Sequence, residues 1–580
     1  MPSTYHGGVK WVEHLQAATS GDIGVAEYLQ VAENGLFHGL GDWVFSGVLY
    51  DESFGVEELA GYASRRDGLG VDLDVVGAMR AEARSFIDQA VTDILAQKPD
   101  VVGFTTTFMQ NASSLAAAKI LKQRCPGLAV VFGGGNCDGE MGVALHRNFP
   151  FVDFVVRGEG EQALPCLLRA LADDHGFADV PNLCWRDNRC QRVNPAGRLL
   201  SPEMIPTPDF DDWFDLLDRS PVAEDIEPKL VVETARGCWW GEAHHCKFCG
   251  LNGTAMQFRA KRPTSAVREI MTLVQRYQVL DVIVVDNIID NQYFTSFLPA
   301  LAELDWDLRI HYEVKSNLSV DDIAALQAGH VTHVQPGIES LISPVLQIMD
   351  KGVSGSRNVR VLRDLETAAL TVSWNWLYGF PGESPALYRD VVEQLPNLVH
   401  LQPPASVARI LLERFSPYFA RFDLGFPDRS PAEAYRHVYR LPDTELQAMV
   451  YLFDTPAAGL SRGDAADLID RVHWWLANYV DSSLTREDRG DAIVIHDRRA
   501  GREQVSHVID APLLVAAYRE LEHGRSPNAL RRRLLERGHD LRGTYLADWL
   551  GQLRRDGLVF VEADQVVALA TSAVPIKVAV

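Results

Sequence analysis

Cysteine is scarce: eight residues in 580, far too few to staple a chain of this length, so stability must come from buried apolar cores. Long apolar runs are missing too. No stretch approaches the roughly 20 residues a membrane-spanning helix needs, and the opening MPSTYHGGVKWVEHLQ has no signal-peptide core. These absences predict a cytoplasmic protein with no membrane partner. Basic residues are outnumbered, 55 Lys and Arg against 78 Asp and Glu, for a net charge of −23. That balance argues against a nucleic-acid partner, which needs basic surface to displace counterions. Internal repeats and low-complexity segments are absent. What is there is an ordinary soluble composition, 47% hydrophobic and 23% charged, in a chain too long for one core.

Residues 1–85 place Trp11, Leu15, Tyr28, Leu36, Trp43 and Phe45 at helical spacing and show no strand series, which predicts a helical N-terminal region. The texture changes over 86–200. PDVVGFTT, LAVVFGGG and VDFVVRGEG read as three buried strands ending in polar or Gly-rich turns, with helical patterns over 111–124, 139–148 and 161–173. Buried strands alternating with helices predict a parallel, Rossmann-like sheet. Ligands of such sheets sit beyond the carboxyl ends of the strands.

Residues 201–228, rich in Pro and Asp, read as a linker. A second α/β series fills 229–425, with strands near 229–234, 281–286, 308–315, 331–338, 371–378 and 405–413. Helical patterns at 264–278, 293–304, 319–329, 357–369 and 385–399 lie between them. Six strand–helix steps predict a partial (β/α)6 barrel, two short of a closed one. The region 426–480 reads as helical. Residues 481–580 give a hairpin (AIVIHD with REQVSHVI), three helices and a closing hairpin around Asp564, a winged-helix-like pattern.

The segment ETARGCWWGEAHHCKFCGLNG, just after the first barrel strand, spaces Cys238, Cys246 and Cys249 as C-x7-C-x2-C. Three thiols on one Gly-flanked loop can fold around one metal centre, and His244 and His245 make zinc the competing metal. A three-cysteine site leaves one coordination position open, which suits a cluster acting on a bound ligand. No cysteine follows Cys249, so a downstream auxiliary cluster lacks thiolates. Cys125, Cys137, Cys166, Cys184 and Cys190 are scattered and read mostly as buried apolar groups.

Here the sequence resembles the radical S-adenosylmethionine superfamily. Its usual signature is C-x3-C-x2-C with an aromatic before the last cysteine; Phe248 fills that position, and the seven-residue gap departs from the usual three. RGCWWGE, HHC-x-FCGLNG, GFTTTF, FGGGNCDGEMG, VDNIID, EVKSNL, QPGIESL, YGFPGE and LERFSPY extend the likeness over about 99–420. Together they resemble cobalamin-dependent enzymes of ribosomal-peptide (RiPP) maturation.

The resemblance implies three cofactors: a 4Fe–4S cluster on Cys238, Cys246 and Cys249, S-adenosylmethionine on its open iron, and cobalamin on the first sheet. Polar residues at barrel strand ends, Asp286, Lys315, Asn317, Gln335, Glu339 and Tyr378, are the expected S-adenosylmethionine contacts. Thr105, Thr106, Thr107, Gln110, Gly133, Gly134, Gly135, Asn136, Gly158, Glu159 and Gly160 are the expected cobalamin cradle. No D-x-H-x-x-G motif is present, which implies base-off binding without a histidine ligand; His146, within MGVALHRNF, is expected at the surface. Such domains usually begin with one more strand, which is not evident here.

The implied activity is C-methylation of an unactivated carbon in a ribosomally made precursor peptide, with an external electron donor as second partner. Two other readings stay open: a non-methylating cyclisation or rearrangement with the same cofactors, and a non-enzymatic cobalamin-binding sensor. The C-terminal hairpin edge is expected either to take the precursor's leader as an added strand or to cap the barrel.

Overall fold

The computed structural model describes residues 4–66, 68–539 and 543–572. Its architecture is mixed α/β in several units, as the sequence pattern predicts.

The N-terminal region is helical. Its longest element, Leu73–Ala96, starts at Asp72, whose carboxylate accepts the Asp74 N–H, and buries Val76, Met79, Ala83, Phe86, Ile87, Ala90 and Val91 along one face. That stripe packs with the helices Leu40–Leu49 and Asn111–Arg124. Strands Val101–Thr105, Ala129–Gly133 and Phe154–Val156 run parallel. Val101–Thr105 lies at the sheet edge, so the missing first strand has no replacement.

One sheet element is not anticipated. Leu183–Asp187 and Cys190–Val193 form a hairpin that extends the sheet antiparallel, turning at Asn188 and Arg189, both with positive φ. Positive φ at both central residues is the signature of a tight two-residue hairpin turn. Cys137 and Cys184 are buried as expected; Cys190, on this outer strand, is exposed.

The barrel strands Leu230–Val232, Asp281–Val284, Arg309–Val314, Val331–Pro336 and Thr371–Val372 are parallel neighbours in chain order. Asn375–Tyr378 and Ser406–Arg409 complete an open six-strand wall. The single strand expected over 371–378 is therefore broken, at a point where the Trp374 indole donates to Gln402 O. The helix expected over 385–399 is instead three short turns, broken in part because Pro396, inside the span, cannot supply an interior N–H. Ile310, Tyr312 and Val314 are buried under the helices, and alternation turns His311 and Glu313 into the lumen.

The region 426–480 is not purely helical. Leu412–Glu413, Ser430–Pro431 and Leu452–Asp454 make a small antiparallel sheet before the helix Ala466–Asn478. In the C-terminal module, Val505–Ile509, Ile493–Arg498 and Ser483–Asp488 form an antiparallel sheet, followed by helices Pro512–Leu521, Pro527–Glu536 and Gly543–Arg555. The closing hairpin Val559–Glu562 with Gln565–Ala568 is as expected.

This module is fastened to the barrel by buried and half-buried polar groups. Glu562 accepts Ser343 Oγ at 2.7 Å and the Ser356 N–H at 2.9 Å at the start of helix Gly355–Thr367. Arg363 Nη1 donates to Ala568 O at 2.8 Å. Arg499, fully buried, donates to Asn397 O and Gly557 O.

Candidate functional site

The loop after the first barrel strand is held from several sides. The Cys238 N–H donates to Met256 O at 3.2 Å, Cys249 to Cys246 O at 3.0 Å, and Lys247 to Met349 O at 3.0 Å. Gly250 is obligatory: a Cβ there would lie 2.1 Å from Arg414 O, and its N–H donates to Glu413. The three thiols are near enough to perturb one another, and burial raises Cys238 and pushes Cys249 up to about 12. Such thiols stay protonated until a metal takes them as thiolates.

The two histidines turn away from the thiols. His244 stacks on Trp240 at 4.1 Å and His245 Nε2 lies 2.9 Å from Cys249 O. Among the described residues no three His, Cys, Asp or Glu side chains converge on a single-ion site. A cubane spreads its thiolates over separate irons, whereas tetrahedral zinc gathers four donors around one ion. The donor set of three cysteines with no fourth ligand fits the cluster.

Two ammonium groups stand over this loop. Lys351 Nζ is 3.0 Å from Glu339 Oε1; burial opposes its charge, but Glu339 and the cysteines raise its pKa above the ordinary lysine range. Lys315 lies 3.4 Å over the Trp240 ring and donates to Lys351 O at 2.7 Å. Burial, then Lys351, brings it down to about 8. Glu339 itself sits at φ 58, a conformation rarely taken by a non-glycine residue. Glu313, paired in register with Gln335, is pushed up to about 7 by burial, Glu339 and Asp286. Lys315, Lys351 and Glu339 thus gather over the loop, and register sets Gln335 beside Glu313. Asn317 lies just beyond, its carbonyl taken by Arg357.

Asp286 does not join them. Its carboxylate accepts the Thr234 N–H at 2.7 Å, the Thr234 hydroxyl, and Tyr312 OH at 3.0 Å, and burial raises its pKa to about 6. It fastens two barrel strands together. Tyr378 is also buried, 4% exposed.

The first sheet offers a crevice at its strand ends. Thr106 is buried and donates its N–H to Gly133 O at 2.8 Å. Gly134, at φ 92, could carry no Cβ without meeting Thr106 N at 2.8 Å, so the two turns are fused. Thr105, Gly135 and Gly158 line the open rim. Thr107 and Gln110 pair locally, and Asn136 Nδ2 donates to Phe108 O at 3.0 Å. Phe108, which the sequence reading overlooked, is 74% exposed on a positive φ of 46. Its only sequence signal is an aromatic directly after a strand-end threonine run.

Glu159 does not stand free at the rim: it binds Arg259 Nη2 at 2.5 Å and Arg236 at 3.5 Å. Burial works to raise its pKa, yet the Arg259 and Leu200 hydrogen bonds hold it below the ordinary carboxylate range. Neighbouring Gly160 opens the helix Gly160–Asp173. His146 is not at the surface: it is 0% exposed, between Arg186 Nη1 at 2.8 Å and Gln191 Nε2 at 2.9 Å. Burial, then Arg186, lowers it to about 4, so it stays neutral.

The cysteine loop and the glycine turn of the first sheet are tied directly. Thr254, five residues past Cys249, donates its N–H and its hydroxyl to Asp138, each at 2.8 Å. The Glu159–Arg259–Arg236 cluster holds the same junction.

Residues 47–168 match the family model of the B12 binding domain. An uncharacterized methyltransferase of Pyrococcus horikoshii is 27% identical over 301 residues, 49% of this chain and 61% of that protein. The anaerobic magnesium-protoporphyrin IX monomethyl ester cyclase of Rubrivivax gelatinosus is 26% identical over 59% of this chain and 60% of its own. The cobalamin-dependent radical SAM methyltransferase TokK of Streptomyces tokunonensis is 26% identical over 51% and 45%. The chain thus spans about half to three fifths of these relatives. Among solved structures, the cobalamin-dependent S-adenosylmethionine radical enzyme OxsB superposes with a TM-score of 0.52 at 14% identity, over 68% of this chain and 60% of that one. The radical S-adenosylmethionine methyltransferase TsrM of Kitasatospora setae gives 0.51 at 18% identity, over 66% and 80%. The fold is that of these enzymes.

Proposed function

We propose that the chain is a cobalamin-dependent radical S-adenosylmethionine C-methyltransferase acting on a ribosomally synthesised precursor peptide. The observation that carries the reading is the junction itself: a three-thiol loop and a glycine-lined sheet crevice, tied face to face through Asp138 and Thr254. When bound, the cluster with S-adenosylmethionine supplies a hydrogen-abstracting radical, and cobalamin supplies the transferable methyl group.

The chain's own residues position and shield. Cys238, Cys246 and Cys249 hold the cluster, with Trp240 and Lys315 closing over the loop. Lys315, Gln335 and Glu339 offer a cation, an amide and a carboxylate to the amino-acid end of S-adenosylmethionine. Thr105, Gly133, Gly134, Gly135 and Gly158 give close backbone approach to cobalamin. Orientation of the reacting carbon between the two crevices is the chief catalytic contribution of the protein. Reductive cleavage of S-adenosylmethionine consumes an electron, which an external donor supplies to the cluster.

The peptide substrate rests on the motif likeness and on the winged-helix-like module behind the barrel. A second reading, ring closure without methyl transfer, is favoured by the cyclase among the relatives. A search of the flanking reading frames for a short precursor gene, followed by anaerobic turnover with the peptide it encodes, separates the two: methylation adds one carbon unit to the product mass, whereas cyclisation removes hydrogens. An unmodified peptide in a reaction that still cleaves S-adenosylmethionine would sink the substrate assignment.

A further inference from the structure

LERFSPY, residues 412–418, closes on the end of the cysteine loop from two directions. The Tyr418 N–H donates to Lys247 O at 3.0 Å, directly after Cys246. Past Cys249, the Gly250 N–H donates to Glu413 Oε2 at 2.8 Å. Arg414 holds the segment itself in place, donating its N–H to Tyr451 O and its Nε to Val450 O, each at 2.8 Å. Cys246, Phe248 and Cys249 are thus bracketed by two backbone contacts from one motif.

Glu413 differs from the other carboxylate beside this loop. Glu339 is paired with Lys351 at 3.0 Å, so its charge is compensated. Glu413 is partly buried, and its partners are donors without charge: the Gly250 N–H and the Tyr451 hydroxyl, the latter at 3.1 Å. An ionised carboxylate is acceptor-only, and both contacts suit that form. Among the described residues no Lys or Arg side chain pairs with it. Antiparallel pairing of Glu413 with Leu452 brings Tyr451 alongside. The carboxylate is near enough to act on the cluster ligands, since burial and then Glu413 raise the Cys249 thiol.

We propose that Glu413 is a positioning residue that holds the reduction potential of the 4Fe–4S cluster low. Two effects act in the same direction. An uncompensated negative charge beside Cys249 opposes the arrival of an electron. The carboxylate also occupies the Gly250 N–H, a donor that would otherwise be free to bond a cluster or cysteine sulfur and ease reduction. The step concerned is transfer of one electron from the external donor to the cluster; the donor is oxidised by one electron and no bond breaks. A lower potential makes that electron a stronger reductant toward the sulfonium of S-adenosylmethionine. The inference rests on the cluster reading above and adds a residue outside the ligand set.

The test is an anaerobic redox titration of the full, reconstituted chain without S-adenosylmethionine, read by electron paramagnetic resonance of the reduced cluster. Glu413→Gln keeps an oxygen for the Gly250 N–H and removes the charge. Its reduced-to-oxidised ratio at a fixed potential should grow about tenfold, or about 59 mV for one electron. Glu413→Asp retains the charge and should stay within about threefold of the native ratio. Tyr451→Phe takes a hydrogen bond from the carboxylate and leaves its charge less compensated, so its midpoint should fall. That variant keeps the proposal testable where Glu413→Gln takes up no cluster. A Glu413→Gln midpoint at or below the native value, an equal rise in Glu413→Asp, or a rise in Tyr451→Phe would each overturn the proposal. Normal loading with an unmoved midpoint removes only the role of Glu413; a native chain that binds no cluster removes the cluster reading itself.

Discussion

Asp138 closes the glycine turn of the first sheet, and both its carboxylate oxygens are taken by Thr254 of the cysteine loop. The contact leaves no slack: a Cβ on Gly253 would lie 1.9 Å from Asp138 Oδ2. This short side chain, together with the Glu159–Arg259–Arg236 cluster, sets the spacing between the two halves of the site.

Asp138→Ala should leave cluster absorbance intact but lower methylated product per S-adenosylmethionine cleaved. Losing a pair of hydrogen bonds to an exposed carboxylate costs about 1–2 kcal/mol, enough for roughly tenfold uncoupling. Parallel assay of deoxyadenosine and product checks this; an unchanged ratio would remove Asp138 from the junction.

Cys246→Ala should abolish both the 4Fe–4S absorbance after anaerobic reconstitution and all deoxyadenosine formation. Retention of either would show that this loop does not hold the cluster.

Lys351→Met leaves Glu339 largely buried without its partner. We expect a loss of about 3 kcal/mol in unfolding free energy, since stranding one member of a buried pair is costly. Adding Glu339→Gln should restore much of it. Denaturant melts of the four proteins in the cycle measure the coupling.

Asp42 supplies a pH signature far from the cysteine loop. It accepts the Ala112 N–H at 2.8 Å, and burial raises its pKa to about 7 despite that bond. The folded chain therefore keeps a proton that the unfolded chain releases at ordinary carboxylate pH. Stability attributable to this group falls as pH rises from about 4 to about 7 and levels off above. Asp42→Asn should flatten that decline by about 1–3 kcal/mol, visible as a smaller shift of the urea midpoint between acid and neutral pH.

The parts legible in the sequence are those where one residue type does one thing. Val-rich runs marked the parallel strands, and C-x7-C-x2-C marked the loop. Direction of a side chain was not legible. Asp286 and Glu339 both follow buried strands, yet Asp286 turns back onto Thr234 while Glu339 meets Lys351. His146 has a single cause of error: the unanticipated hairpin supplies Arg186 and Gln191, which cover a helix face that would otherwise be exposed. The 426–480 sheet escaped notice because its strands are two or three residues long, too short for alternation to register.

The buried fastening of the C-terminal module has a consequence for reach. Glu562, Arg363 and Arg499 tie it to the barrel, so the module and the cysteine loop keep a fixed separation. On the proposed peptide reading, any reach between the module and the lumen would be supplied by the length of the substrate rather than by a motion of the protein.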